Sequence, residues 1–112
     1  MPNRKRSDQN QQEIVKQLRK IGCYVIDIHN VGKCCDLIVT WRGFVFLVEI
    51  KSSKKAKLTP AEEKFILTVE TEVIIATSFE EVLKGMKNII HNIYINGYTS
   101  YHVICEIESN LN

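Results

Sequence analysis

The stretch FVFLVEIK, residues 44–51, decides how this chain folds. Its first five residues are aliphatic or aromatic, which is typical of a strand buried inside a sheet. Glu49 and Lys51 then break the apolar pattern. Side chains two residues apart on a strand share a face and lie about 6.6 to 7 Å apart, so this carboxylate and ammonium project together. Because charged residues are seldom buried without partners, the pattern predicts a functional site at this strand end.

A third charge, Asp36, opens the neighbouring apolar run 36–41, and Arg42-Gly43 predicts a tight hairpin turn between the two runs. Residues equally distant from the turn lie side by side, so Asp36 is expected beside Glu49. Two carboxylates within a few ångströms repel unless a cation lies between them, and all-oxygen ligation suits Mg²⁺ or Mn²⁺. We therefore hypothesise a divalent-metal site. The alternative is that Glu49 and Lys51 mark a solvent-exposed strand end and that Asp36 is an ordinary turn residue.

Patterns along the rest of the chain predict an α/β fold. The predicted elements are a helix over 7–21, strands over 23–29, 36–41 and 44–50, a helix over 60–69, a strand over 72–76 and a helix from 79 to about 90. Asn96-Gly97, inside the Ile- and Tyr-rich segment 93–107, predicts two further strands joined by a hairpin. This order indicates a mixed central sheet covered by helices on both faces.

Capping signals mark the predicted helix ends. Ser7 or Asn10 would cap the first helix and Gly22 would stop it. Thr59-Pro60-Ala61-Glu62 and Ser78-Phe79-Glu80-Glu81 have the spacing of capping boxes, so a helix is expected to start at each.

Length and composition indicate one globular domain, 1–112. The chain has a mass of 12.9 kDa, with 45% hydrophobic and 25% charged residues, which is ordinary for a globular protein and argues against disorder. The longest apolar run, 44–48, is far below the roughly 20 residues of a membrane helix. The basic N-terminus continues into polar residues, unlike a signal peptide, so a cytoplasmic location is expected.

Charge is distributed unevenly along the chain. Residues 1–57 carry 12 basic and 5 acidic residues, whereas residues 58–112 carry 3 basic and 8 acidic ones. The densest basic clusters are Arg4, Lys5 and Arg6, and Lys54, Lys55 and Lys57 beside Lys51. Either cluster would neutralise the phosphates of a nucleic acid, although such lysines also serve only to keep small proteins soluble.

The four cysteines do not indicate a metal or redox protein. Cys34 and Cys35 are adjacent and cannot easily bond each other, and no Cys-x-x-Cys or His-x-x-x-His spacing is present. Reduced thiols are therefore expected, with Cys34 and Cys35 as small fillers. His29 is expected in a surface or capping role.

Asp36 followed by Glu49-Ile50-Lys51, in the order α-β-β-β-α-β, resembles the PD-(D/E)XK nuclease superfamily. The similarity covers about 7–90, including Glu13, Gly32 and Leu58-Thr59-Pro60, and is strongest to small VRR-NUC type and Holliday-junction-resolvase-like nucleases. The chain has Cys35 where the family usually has Pro before the Asp, and Glu63 where it often has Gln; we place Glu63 outside the site.

The resemblance implies a restriction-endonuclease-like core and a metal-dependent endonuclease that hydrolyses DNA, selectively at Holliday junctions or other branches. Asp36, Glu49 and the Ile50 carbonyl would hold Mg²⁺ or Mn²⁺, with Glu13 as an accessory ligand, and Lys51 would orient water or stabilise charge on the phosphate. It also implies a homodimer, with 91–112 as a candidate dimerisation extension, and a phage, prophage, archaeal or bacterial origin. The alternative is a catalytically inactive nuclease fold that serves as a nucleic-acid-binding or assembly module.

Overall fold

The structure, a computed structural model, describes residues 6–31 and 34–111. Arg4, Lys5 and Gly32 lie outside this part, as does the side chain of Arg6. The elements are α1 (Arg6–Lys20), β1 (Tyr24–Asp27), a 3₁₀ turn (His29–Val31), β2 (Leu37–Trp41), β3 (Phe44–Ile50), α2 (Pro60–Thr68), β4 (Val73–Ala76), α3 (Phe79–Ile95) and α4 (Gly97–Leu111). The predicted core elements are confirmed, although β1 is shorter than the expected 23–29.

The four strands form one mixed sheet in the order β1-β2-β3-β4. Strand β2 runs antiparallel to both β1 and β3, whereas β4 runs parallel to β3. The β2–β3 hairpin is confirmed, with Leu37 opposite Val48 and Trp41 opposite Phe44. Its two turn residues, Arg42 and Gly43, have φ of 52° and 89°, as a tight two-residue hairpin turn requires.

One face of the sheet carries the hydrophobic core. Helices α1 and α3 pack on this face and against each other. Where α3 crosses β4, a Cβ added to Gly85 would lie 2.6 Å from Cγ2 of Ile74, so this close approach requires glycine. The buried residues come from these elements: Ile14, Val15 and Leu18 of α1, Val25, Leu37, Val39, Phe46, Val48, Ile50, Ile74 and Ala76 of the sheet, and Val82 and Met86 of α3.

The expectation of helices on both faces holds only in part. Four apolar residues of the opposite face, Tyr24, Ile26, Val45 and Ile75, are exposed. Helix α2 has no buried residue, and its Glu62 contacts Lys51 at the strand end. The nine residues of α2 group their apolar side chains at 65–67 in succession, so the helix has no continuous apolar stripe with which to cover a sheet.

The predicted strands in the C-terminal segment are wrong. Helix α3 continues past Ile90 to Ile95, and Gly97–Leu111 forms α4. The apolar residues Ile89, Ile90, Ile93 and Tyr94 extend the helical period of α3, and this period overrides the β propensity of isoleucine and tyrosine. Asn96 caps α3, with its N–H donating to the carbonyl of Asn92, so Asn96-Gly97 joins two helices.

Most predicted helix ends are confirmed. Gly22 stops α1 with a φ of 101°, and Thr59 and Glu62 form the capping box of α2. Ser7 is not a cap, because α1 already begins at Arg6, and for the same reason neither is Asn10. Its Nδ2 donates instead to the carbonyls of Lys51 at 3.1 Å and Thr77 at 2.8 Å, tying the helix to the ends of β3 and β4. Across residues 6–31 and 34–111, no helix is both long and apolar enough to cross a bilayer.

Candidate active site

The pairing of β2 with β3 brings Asp36 and Glu49 together, as the hairpin predicts. The Asp36 N–H donates to the Val48 carbonyl at 3.0 Å, which continues the ladder one residue beyond β2. The Ile50 N–H donates to Oδ2 of Asp36 at 2.7 Å and fixes that carboxylate beside β3. The side chains of Asp36 and Glu49 are close enough for each to shift the pKa of the other.

These residues open into a pocket of about 330 Å³ at the end of the sheet. Strand ends, the loop after β3 and the start of α2 form its walls. Since a water molecule occupies about 30 Å³ of liquid, the volume accommodates a phosphate group with several waters. The lining residues are Gln11, His29, Asp36, Glu49, Ile50, Lys51, Ser52, Ala56, Thr59 and Glu62.

Glu49 is the most enclosed charge of the site, with only 3% of its surface exposed. Burial, a hydrogen bond with Glu62 and the nearby charges of Asp36 and Glu62 raise its pKa to about 9. Burial also raises the pKa of Asp36, against the lowering effect of the Ile50 N–H. A pKa of about 9 favours the protonated form of the Glu49 carboxyl at neutral pH unless a cation binds beside it.

Lys51 is held by Glu62, a contact that the sequence does not predict. Lys51 Nζ donates to Oε1 of Glu62 at 2.5 Å, and the same oxygen accepts from the Thr59 N–H at 2.7 Å. Partial burial would raise the pKa of Glu62, but hydrogen bonds from Glu49, Lys51 and Thr59 outweigh it and lower that pKa to about 2. Glu62 thus caps α2 and orients Lys51 at once.

Glu13 is not brought to the pocket. It is exposed on α1, whereas Gln11, 6% exposed, lines the pocket. Residues two apart on a helix differ by about 200° in direction, so Gln11 and Glu13 cannot share a face. Glu63, adjacent to Glu62, is exposed and outside the pocket lining, as expected.

His29 has a larger role in the site than its sequence position indicates. It lines the pocket, and its Nδ1 lies 2.5 Å from Oδ1 of Asp27. Gln11 Nε2 donates to the same Asp27 oxygen at 3.0 Å. Partial burial of Asp27 is outweighed by hydrogen bonds from His29 and Gln11, so its pKa is lowered. His29 is exposed, as expected, but its N–H donates to Oδ1 of Asp27 at 3.2 Å, so Asp27 is the capping residue here.

The basic loop after β3 borders the same pocket. Ser52 and Ala56 line it, while Lys54, Lys55 and Lys57 are exposed. Lys54 Nζ lies 3.8 Å from Oε2 of Glu81. Arg4, Lys5 and the Arg6 side chain belong to the part of the chain that the structure does not describe.

The donors at the pocket suit a hard divalent cation. In the described part of the chain, no three His, Cys, Asp or Glu side chains already form a metal-binding group. Mg²⁺, however, is commonly held by only one or two carboxylates, with waters and substrate phosphates completing the shell. Asp36 and Glu49 supply two carboxylates to such a shell.

The thiols take no part in this arrangement. All four cysteines are free, and Cys35 is 2% exposed, with its Sγ donating to the Leu37 carbonyl at 3.2 Å. Burial and the neighbouring Cys34 raise the pKa of Cys35 to about 12, so it is an inert core thiol.

Comparisons of the chain with protein-family models, with curated proteins and with solved structures found no match.

Proposed function

We propose that this protein is a metal-dependent endonuclease that hydrolyses phosphodiester bonds of DNA, with a restriction-endonuclease-like core. The observation that carries the proposal is the convergence of Asp36, Glu49 and Lys51 in one pocket at the end of the β2–β3 hairpin. Two carboxylates and an ammonium beside a basic loop suit phosphodiester hydrolysis with Mg²⁺.

In this proposal Asp36, Glu49 and the Ile50 carbonyl would hold Mg²⁺ or Mn²⁺. Such a cation polarises a phosphodiester and makes water a better nucleophile. Lys51 would donate to a non-bridging phosphate oxygen, where it offsets developing negative charge. Glu62 is a positioning residue, because it orients Lys51.

The surroundings of the pocket favour a nucleic-acid substrate. Lys55 and Lys57 are exposed on the loop whose Ser52 and Ala56 line the pocket, so they would contact phosphates on either side of the scissile bond. A chain of 112 residues makes few base contacts. We therefore propose selection of branched DNA by shape, Holliday junctions included, over selection by sequence.

The test is cleavage of a labelled panel of four-way junction, flap, duplex and single strand in Mg²⁺ or Mn²⁺. We expect the wild type to cut the junction preferentially, and Lys51→Ala to cut about 100-fold more slowly. Lys64→Ala, which removes an exposed lysine outside this pocket, should cut like the wild type. Binding of every substrate without any cleavage would contradict the nuclease proposal and support the inactive binding module.

Removal of the loop charges should weaken DNA binding without affecting the chemistry. For Lys55→Gln/Lys57→Gln we expect the slope of log K against log salt to fall by about 2, because each lysine neutralises one phosphate. The cleavage rate at saturating DNA should stay within about 3-fold of the wild type. Fluorescence anisotropy over a salt series measures this slope. Lys20→Gln/Lys84→Gln, with two exposed lysines removed elsewhere, is the control, and an equal change there would exclude a specific role for the loop.

A further inference from the structure

Asp27 of β1 and His29 of the turn after it form a hydrogen-bonded pair at the wall of the Asp36 pocket. His29 lines this pocket, and its Nδ1 lies 2.5 Å from Oδ1 of Asp27. The side chain of His29 is 39% exposed, so a substrate in the pocket can reach it. The Ile28 N–H donates to the Asp36 carbonyl at 2.8 Å. The pairing of β1 with the start of β2 therefore places the turn that bears His29 beside a proposed metal ligand.

A buried glutamine of α1 completes this arrangement. Gln11, 6% exposed, donates from Nε2 to Oδ1 of Asp27 at 3.0 Å, and the His29 N–H donates to the same oxygen at 3.2 Å. Together with Nδ1 of His29, three nitrogens meet this one carboxylate oxygen. Burial acts to raise the pKa of Asp27, but the hydrogen bonds from His29 and Gln11 outweigh it and lower that pKa. Asp27 is therefore an anion at neutral pH.

The hydrogen bonds assign the tautomer of His29. An ionised carboxylate only accepts hydrogen bonds, so Nδ1 is the donor in the contact with Asp27. Any proton that His29 exchanges with a substrate is then carried on Nε2. A carboxylate at one ring nitrogen also stabilises the imidazolium that holds both protons, because the negative charge compensates the positive one. The pair can therefore hold a proton and release it from Nε2.

The proposed hydrolysis leaves one task without a protein group. When water attacks phosphorus, the bridging oxygen that leaves acquires negative charge, and a proton donor at that oxygen accelerates the reaction. Asp36 and Glu49 are assigned to the cation. Lys51 is held by Glu62 and is assigned to a non-bridging oxygen. Among the described residues that line the pocket, His29 is the remaining titratable one.

The position of His29 in the sheet suits this task. In the sheet order β1-β2-β3, the start of β2, where Asp36 lies, comes between His29 after β1 and Lys51 after β3. Phosphoryl transfer requires the attacking and leaving oxygens to lie roughly in line, on opposite sides of phosphorus. A phosphate held beside Asp36 would lie between His29 and Lys51, which would then contact different oxygens.

We propose that His29 is the general acid of the reaction and that Asp27 and Gln11 are its positioning residues, an inference that rests on the proposed nuclease function. The water oxygen forms a bond to phosphorus while the bond from phosphorus to the leaving oxygen breaks. The electron pair of the broken bond stays on the leaving oxygen, which takes the proton from Nε2. The imidazolium becomes a neutral imidazole, and the attacking water loses its proton to solvent. The products are a phosphate monoester and an alcohol, and solvent returns a proton to His29.

DNA with sulfur in place of the leaving oxygen tests this role. A thiolate leaves without protonation, because a thiol is a much stronger acid than an alcohol. The ends of the wild-type products identify which bridging oxygen leaves, and the preferred substrate is then made with sulfur at that atom. In saturating Mn²⁺ we expect His29→Gln to cut all-oxygen DNA about 100-fold more slowly than the wild type. It should cut the sulfur-containing DNA within about 3-fold of the wild type.

Two further variants show whether the effect belongs to the pair. Asp27→Asn should lose about 10-fold on all-oxygen DNA and little on the sulfur-containing DNA, because the amide does not stabilise the imidazolium. His91→Gln removes an exposed histidine outside this pocket, so it should cut both substrates like the wild type. An equal loss for His29→Gln on the two substrates, or no loss on either, would overturn the general-acid role.

Nitrogen NMR of the metal-free protein tests the pair without any cleavage. In the neutral form of His29, reached at high pH, we expect the hydrogen on Nδ1 in the wild type. Asp27→Asn should move much of it to Nε2, because the amide can donate to Nδ1 instead of accepting from it. The resonances of His29 are those that His29→Gln removes. A wild-type ring with its hydrogen on Nε2 would overturn the proposed pair.

Failure of this inference is distinguishable from failure of the nuclease proposal. Cleavage that depends on Glu49 but not on His29 would overturn the general acid alone. A wild type that cuts no DNA would contradict the nuclease proposal and the general acid with it, whereas the NMR result would still report on the pair of Asp27 and His29.

Discussion

Glu49→Gln is expected to reduce cleavage by about 1,000-fold or more, the largest effect of any single substitution in this chain. The amide has nearly the shape of the protonated carboxyl that the metal-free protein carries, so the fold and the buried contacts should persist. It has no negative charge to offer a divalent cation, however. Initial rates on the preferred DNA substrate, at saturating Mn²⁺, measure the loss.

Two glutamates provide controls for this substitution. Glu13→Gln and Glu63→Gln alter exposed residues that do not line the pocket, so both should retain cleavage within about 2-fold. If Glu13→Gln lost as much cleavage activity as Glu49→Gln, Glu13 would be a metal ligand, as the family resemblance implies. Glu13 would then have to move from its exposed position when substrate binds. Full activity of Glu49→Gln would contradict a metal ligand at this position.

The same substitution should stabilise the protein when no divalent cation is present. The folded-state pKa of Glu49 is raised from 4.5 to about 9. The stability that its bound proton contributes is therefore complete below about pH 4.5 and is lost as the pH rises to about 9. The amide that replaces this carboxyl in the variant does not titrate. We expect Glu49→Gln to exceed the wild type in free energy of unfolding by an amount that grows by about 4 kcal/mol between pH 5 and pH 8.

Urea denaturation in chelator at several pH values measures this difference. The difference should shrink when saturating Mn²⁺ replaces the chelator, because a cation bound to the wild type stabilises only its folded state. Glu62 changes the stability with pH in the opposite sense. Its pKa is lowered to about 2, so the stability that the Glu62 carboxylate contributes is present above about pH 4.5 and is lost as the pH falls toward 2. A pH-independent difference between Glu49→Gln and wild type would contradict the raised pKa.

Local signals in the sequence predict those parts of the molecule that local contacts determine. The Arg42-Gly43 turn sets the hairpin register, and the register alone places Asp36 beside Glu49. The capping box of α2 likewise depends on residues within one turn. In these elements, residues that are close in the sequence are also close in the fold, so the sequence predicts their contacts.

Contacts between distant elements are not predictable in this way. The capping box already explains a glutamate at position 62. Nothing in the sequence therefore indicates that Glu62 also contacts Lys51, 11 residues earlier. His29 enters the pocket because the 3₁₀ turn after β1 directs it there, and Asp27-x-His29 is too short a pattern to indicate this. Asn96-Gly97 is ambiguous for a different reason, because the same two residues suit a junction between helices as well as a hairpin turn. Only the helical spacing of apolar residues along the whole of α3 distinguishes the two.

The clamp made by Asn10 affects how the pocket forms during synthesis. Asn10 bonds the carbonyls of Lys51 and Thr77, and the Lys51 N–H donates to the Ala76 carbonyl at 2.9 Å. Asp36, Glu49 and Lys51 all leave the ribosome before Thr77 does. Thr77 and Ala76, which accept two of these three hydrogen bonds, are synthesised last, and Thr77 follows Asn10 by 67 residues. A growing chain that already holds all three residues would therefore lack the contacts that join this strand end to β4 until the sheet is complete.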